Sequence, residues 1–230
     1  MEHESQLTDA SKLLDTDFDQ EHVIKTNIPD VLDEVNKRLN FTIEKEDVFL
    51  LDNMLTESEC QRLIAFASDK GYGQTGFTSS YRGYLRLLTD DDNLAKKLWE
   101  RIKCHIPDKV VDKDGSKWVA DGLNRRFRWA KYPVGSHFSR HCDSNYKDSS
   151  SRKSFYTVNV YLNSGFGDGR TRFFENDLAD TKPFYQVEPE PGRALVFTQP
   201  DKKYLIHDGE TVSTTEKYLM RTDVMYRREK

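Results

Sequence analysis

FRWAKYPVGSHFSRHCD, residues 127–143, reads as a strand, a turn built on Pro133 and Gly135, and a second strand that closes on His141 and Asp143. Residues two apart in a strand face the same side. The His141 imidazole and the Asp143 carboxylate can therefore reach one ion, while Cys142 points away. His137 shares that side, but about 13 Å of strand separates it from His141, which removes it from the same ion. Two groups do not make a site, and the best candidate for a third ligand is His207 in YLIHDGE. Two histidines and one carboxylate on one face of a metal, with open positions opposite, are the ligand set of non-haem Fe(II) oxygenases. Taken alone, HxD is equally an ordinary surface or core histidine beside an aspartate. His3, His22 and His105 have no supporting context.

Downstream come a polar loop, SNYKDSSSRKS, the strand TVNVYLN, the glycine turn GFGDGRTRFF, the strand RALVF, His207 and EKYLMRTDVMYRR. From residue 125 the segments are short and broken by Gly, Pro, Asn and Asp. That pattern predicts two facing antiparallel sheets, a jelly roll. The loop 144–154 is too polar to pack and is expected at the site rim, as a moving segment. Asn159 and Tyr161 share a face of their strand. Lys217 and Arg221 share a face of the last one.

In this order YPVGSHFSRHCD, YLN, GDGRTRF, PGRALVF and His207 with a following lysine resemble the Fe(II)/2-oxoglutarate dioxygenases of the prolyl 4-hydroxylase type. There the pieces read approximately YxxGxxFxxHxD, YLN, GGxTxF, PxxGxxLxF and HxxxxVxxGxKW. The likeness covers residues 125–228, close to half the chain. It implies an α+β, mainly β fold: a double-stranded β-helix (jelly roll) with supporting N-terminal helices. It implies Fe(II) on His141, Asp143 and His207, 2-oxoglutarate as co-substrate, O2, and ascorbate. Lys217 follows His207 by ten residues and matches the family lysine that takes the far carboxylate of 2-oxoglutarate. Tyr218 stands for the family tryptophan, Thr215 for the usual glycine, and Val212 keeps its place. Arg221 is the alternative partner, because its planar fork suits a carboxylate. The other reading of both is a solvated strand end beside Arg227 and Arg228. Tyr161 matches a tyrosine that bonds the same carboxylate, or else is barrel packing. Tyr132 matches the tyrosine of YxxG near the co-substrate, and Thr171 the inward threonine of GGxT. Asp143 is the carboxylate that halogenating relatives lack, so hydroxylation is expected. Arg128, Trp129, Arg170 and Arg172 are rim or sheet-surface candidates.

At 230 residues the chain is one domain, or one with an extension. We divide it into residues 1–25, a polar tail or arm; 26–124, a helical and mixed support; and 125–230, the oxygenase core. Pro29 opens a stretch with Val31, Leu32, Val35 and Leu39 at helical spacing. Residues 46–53, EDVFLLDN, read as a strand. LTESEC, which fits the segment commonly preceding the family barrel, makes a capping box of Thr56 and Glu59 that starts a helix ending at Gly71. GYGQTGFTSSYRGYLRLL, residues 71–88, is a loop with a short strand, or a cover of the site mouth with Tyr81, Arg82 or Tyr84 on substrate. Residues 92–106 form a supporting helix and 112–116 a turn.

A net charge of -4 and a pI near 5.9 argue against a nucleic-acid partner. No apolar run suits a membrane, and MEHESQLTDASK is not a secretory signal. Cys60, Cys104 and Cys142 are an odd, sparse set that suggests reduced thiols in an intracellular, cytoplasmic protein. The reading this supports is hydroxylation of a prolyl residue of a peptide or protein. The alternatives are a hydroxylase of a free amino acid or other small molecule, and a metal- and ligand-binding jelly roll without turnover. The last would need neither a distal cation nor the Tyr161 partner.

Overall fold

Alternation along three long strands decides the architecture. On one face they carry Phe127, Trp129, Val158, Val160, Met220 and Val224, all buried in the main apolar core. On the other they carry Arg128, Asn159, Lys217 and Arg221, which line a cavity. An apolar face calls for a cover of helices. A polar face that is also buried calls for a site.

The computed structural model describes residues 14–15, 23–28, 32, 40–45, 47–203 and 205–229. In chain order the elements are β1 (Leu14–Asp15), β2 (Val23–Lys25), β3 (Asn40–Lys45), β4 (Val48–Asp52), α1 (Glu57–Lys70), β5 (Leu85–Asp90), α2 (Asp92–Ile102), β6 (Lys109–Val111), β7 (Lys117–Leu123), β8 (Arg126–Tyr132), β9 (Phe138–Asp143), β10 (Lys147–Ser149), β11 (Arg152–Tyr161), β12 (Thr171–Phe174), β13 (Tyr185–Val187), β14 (Ala194–Thr198), β15 (Ile206–Gly209) and β16 (Lys217–Arg228). The large sheet runs β2-β5-β8-β16-β11-β14-β4-β3, with β7 on β16, β6 on β7 and β10 on β11. The small sheet runs β1-β9-β15-β12-β13. The fold is mainly β, with two α-helices among the described residues. Neither is long and apolar enough to cross a membrane.

Both helices start where a side chain satisfies the free N–H groups of the first turn. Thr56 and Glu59 form the expected reciprocal capping box, and Asp91 accepts from the Leu94 N–H at 2.8 Å. Buried Glu59 also receives Arg101 of α2 at 2.7 and 2.9 Å, which ties the helices together. Gly192 sits at φ +79°, and a Cβ there would meet the Leu55 carbonyl oxygen at 2.0 Å. Only glycine lets that turn press against the start of α1.

Three expectations change. The second helix stops at Ile102, and Lys103–His105 is a 3-10 turn. The polar segment 144–154 is no loose rim. Lys147–Ser149 pairs with β11, while Asn145 and Tyr146 hydrogen-bond Ser154 at 2.7 Å, because backbone pairing needs no apolar side chains. The amphipathic helix expected after Pro29 lies outside the described residues, apart from buried Leu32 and its last residues, Asn40 and Phe41, which begin β3. Within the expected N-terminal arm, Leu14–Asp15 pairs with Cys142 and Asp143 of β9, and Val23–Lys25 with β5.

Candidate active site

β9 and β15 are antiparallel neighbours, and their register sets His141 directly opposite His207. With Asp143 they form a buried cluster whose ligand atoms all lie within 4.8 Å of one another. His141 Nε2 stands 3.6 Å from Asp143 Oδ1, and His207 Nε2 3.8 Å from Asp143 Oδ2. Each histidine turns Nδ1 to the carbonyl two residues before it, Ser139 at 2.8 Å and Leu205 at 2.9 Å. A neutral imidazole that donates from Nδ1 presents the lone pair of Nε2 to the cluster. Phe138 stacks on His141 with ring centroids 3.6 Å apart, and Phe197 meets His207 edge-on at 4.8 Å. Burial, with His141 adding to it, pushes the His207 pKa down to about 3, so that ring is neutral at physiological pH. Neutral imidazoles, an ionised carboxylate and a dry surround are what a divalent first-row ion requires.

Burial by itself would raise the Asp143 carboxyl. Arg221, together with His141 and His207, outweighs it and holds the group well below the usual carboxylate range. Arg221 Nη1 lies 2.8 Å from Asp143 Oδ1, and the Thr157 hydroxyl donates to Oδ2 at 2.8 Å. Behind them Gln199 links Thr157 (3.1 Å) to Asp223 (3.0 Å), and Asp223 also takes Arg128 at 3.0 Å.

The triad opens on a cavity between the sheets. Tyr132, Thr171, Lys217 and Arg221 line it, as do Tyr84 and Asn159. Lys217 is 2 % exposed. Its Nζ donates to the Gly169 carbonyl at 2.6 Å and stands 5.2 Å from the Tyr132 ring centre and 5.5 Å from that of Tyr161. No carboxylate among the described residues comes within ion-pair distance. Burial pushes its pKa down to about 8.

Tyr161 does not line the cavity; its hydroxyl donates to Thr171 Oγ1 at 2.7 Å and so reaches the cavity through Thr171. Arg221 is on the Lys217 face but four residues, about 13 Å, further along, at Asp143. His137 bonds the Ser80 carbonyl at 3.0 Å. Cys142 packs with Phe174 and Ile206, and burial pushes its thiol up to about 12, so it is inert. Tyr84 reaches the cavity, whereas Arg82 is 1 % exposed between Phe77 and Phe138. Trp129 is core; Arg170 and Arg172 pair with Glu210 and Asp208. Sequence reasoning missed Thr157, whose signal was its shared parity with Asn159. It also missed Arg86 and Asp208, which line the cavity without a local signal.

Residues 127–222 match the family model of the 2OG-Fe(II) oxygenase superfamily. A protein of Acanthamoeba polyphaga mimivirus assigned as a prolyl 4-hydroxylase is 24% identical over 185 residues, 74% of this chain and 71% of the relative. Among solved structures, the viral collagen prolyl hydroxylase of Paramecium Bursaria Chlorella virus-1, in complex with 2OG, aligns with a TM-score of 0.53 and 20% identity over 79% of this chain and 97% of that one. A prolyl hydroxylase from Trichoplax adhaerens, in complex with a hypoxia inducible factor peptide fragment, gives 0.55 and 16% over 77% and 83%. A Pseudomonas putida prolyl-4-hydroxylase gives 0.52 and 18% over 80% and 94%.

Proposed function

We propose that this chain, by its family match and fold a 2-oxoglutarate-dependent dioxygenase of prolyl 4-hydroxylase-like type, hydroxylates an unactivated C–H bond, that of a prolyl residue in a peptide or protein. Fe(II), with O2 and 2-oxoglutarate, would supply the oxidation of C–H to C–OH and the release of succinate and CO2. His141, Asp143 and His207 hold the ion, with both imidazoles fixed as Nε2 ligands by the carbonyls at their backs. Lys217 takes the far carboxylate of the co-substrate. Thr171 accepts a hydrogen bond from Tyr161 and has its own proton to give the same carboxylate. Tyr161 is thus a positioning residue. Tyr132 supplies an aromatic wall beside the ammonium. Arg221 and Thr157 keep Asp143 ionised and oriented.

The observation that carries this reading is one cavity holding both a three-ligand metal cluster and a buried ammonium. A binding protein for metal alone would have no use for the ammonium, whose burial is unfavourable. Two sheets facing across the site support a jelly-roll, double-stranded β-helix core in residues 125–230, with 26–124 as support and 1–25 as an arm. Ascorbate would sustain turnover by keeping the iron ferrous, and the compartment we propose is the cytoplasm.

The test is succinate formation from 2-oxoglutarate with Fe(II) and ascorbate under air, alone and with panels of proline-containing peptides and free amino acids. One panel is expected to stimulate it, and His141→Ala or Asp143→Ala to abolish it. Absence of succinate under every condition, with no 2-oxoglutarate bound to the iron-loaded protein, would leave a binding jelly roll instead.

A further inference from the structure

Thr157, Asn159 and Tyr161 share one face of β11, the face turned to the site, because alternate residues of a strand point the same way. The outer two have partners. Thr157 donates to Asp143 Oδ2, at the metal end. Tyr161, whose ring centre lies 5.5 Å from the Lys217 ammonium, donates to Thr171 at the other end. Asn159 stands between them, about 7 Å along the strand from each. It lines the cavity and is 6 % exposed, and its Oδ1 is buried without a hydrogen-bond partner.

The neighbouring strands leave this amide unanswered. On one side it lies opposite Leu195, an apolar residue of the core. On the other it lies opposite Arg221, whose guanidinium is turned to Asp143. A primary amide carries two donors and an acceptor, and burying it unpaired is unfavourable. An amide whose oxygen bonds nothing gives up no contact when it turns about its last torsion. Either end can therefore meet what enters the cavity.

The oxygens of 2-oxoglutarate can be matched to the groups around the cavity. A 2-oxo acid chelates a metal through its keto oxygen and one oxygen of the adjoining carboxylate, which puts both at His141, Asp143 and His207. Lys217 and Thr171 answer the far carboxylate, and the methylenes between ask for nothing. The outer oxygen of the metal-side carboxylate is left over. Asn159 offers an unengaged amide one inward position from Thr157, beside the metal end.

We infer that the Asn159 NH2 donates to that outer oxygen and so fixes the metal-side carboxylate of the co-substrate. The inference rests on the oxygenase reading and adds a residue to its co-substrate site: Lys217 holds one end of the dianion and Asn159 the other. The donor is neutral, so the pairing does not depend on any charge left over in the cavity.

The test compares ligands that differ at one end. 2-Oxovalerate keeps the metal-side carboxylate and lacks the far one. Levulinate keeps the keto group and the far carboxylate, with a methyl in place of the metal-side carboxylate. Each is titrated without oxygen into Mn(II)-loaded protein, in competition with 2-oxoglutarate where it binds weakly. Asn159→Leu is expected to weaken 2-oxoglutarate and 2-oxovalerate about tenfold and to leave levulinate and Mn(II) affinity unaltered. Asn159→Asp keeps the shape and replaces the donor by an acceptor, and should weaken the same two ligands at least as much. A merely structural defect would weaken all three alike. As a second measurement, in 15N-labelled parent loaded with Zn(II), the side-chain NH2 resonance that Asn159→Leu removes should move downfield when 2-oxoglutarate is added. Equal losses for levulinate, undiminished 2-oxoglutarate affinity in both variants, or a resonance that 2-oxoglutarate leaves in place would each overturn the inference. Those results, with succinate still formed, would leave the oxygenase reading standing. A parent that neither binds 2-oxoglutarate nor forms succinate would remove that reading and the inference with it.

Discussion

Replacing Lys217 by Met should move stability and function in opposite directions. The ammonium is buried and donates to one carbonyl, that of Gly169. Its pKa sits at about 8 rather than 10.5, so the fold disfavours its charged form by about 3 kcal/mol at neutral pH. A methionine keeps the straight apolar stem and removes that penalty. The ligand-free, metal-free variant should therefore be more stable than the parent by up to about 3 kcal/mol in urea unfolding at pH 7. The advantage should shrink as pH rises. The unfolded chain holds the lysine proton up to about 10.5 while the folded chain releases it from about 8, so the parent gains stability across that window. Function goes the other way. A 2-oxoglutarate carboxylate left unpaired in this pocket costs about 3–4 kcal/mol, raising KM for the co-substrate by roughly 100- to 1000-fold. In the parent, KM should climb about tenfold per pH unit above about 8, because the ligand must then bring in a proton. A variant less stable than the parent, with an unaltered KM, would refute the assignment and make Lys217 a structural residue.

Two further predictions concern the groups around Asp143. Arg221→Met removes the largest of the influences that lower the carboxyl and leaves His141 and His207 against burial, so its pKa rises and protons compete with the metal. The acid limb of metal-dependent turnover should move up by about one pH unit or more, and an unmoved limb would deny Arg221 this role. Thr157→Val keeps the shape and deletes the hydrogen bond to Asp143 Oδ2. Mn(II) affinity should fall about tenfold in a direct titration; unchanged affinity would mean that Asp143 is oriented without it.

Much of the site was legible because period-two alternation is local. HxD placed His141 and Asp143 on one face, and the same parity put Lys217 and Arg221 together on β16. Parity names a face, but not the position along it. Only the β9–β15 register sets His207 against His141, and only the packing of the sheets brings Arg221 to Asp143. Tyr161 shows the same limit: its side is right, yet its hydroxyl ends on Thr171 rather than in the cavity. The polar hairpin of β10 and β11 was misread because side-chain polarity says nothing about backbone pairing.

By itself, the sequence determined the strand-rich class, the capped first helix, the oxygenase resemblance and the identities of the candidate metal-ligand residues, since each rests on local spacing or motif order. The tertiary structure decided which buried polar groups share one space. It set Arg86, Arg128 and Arg221 on adjacent strands, Thr157 against Asp143 and Lys217 on the Gly169 carbonyl. The physical reason is that strand pairing joins residues far apart in the chain, as Val48 of β4 with Phe197 of β14, and no local period records such contacts.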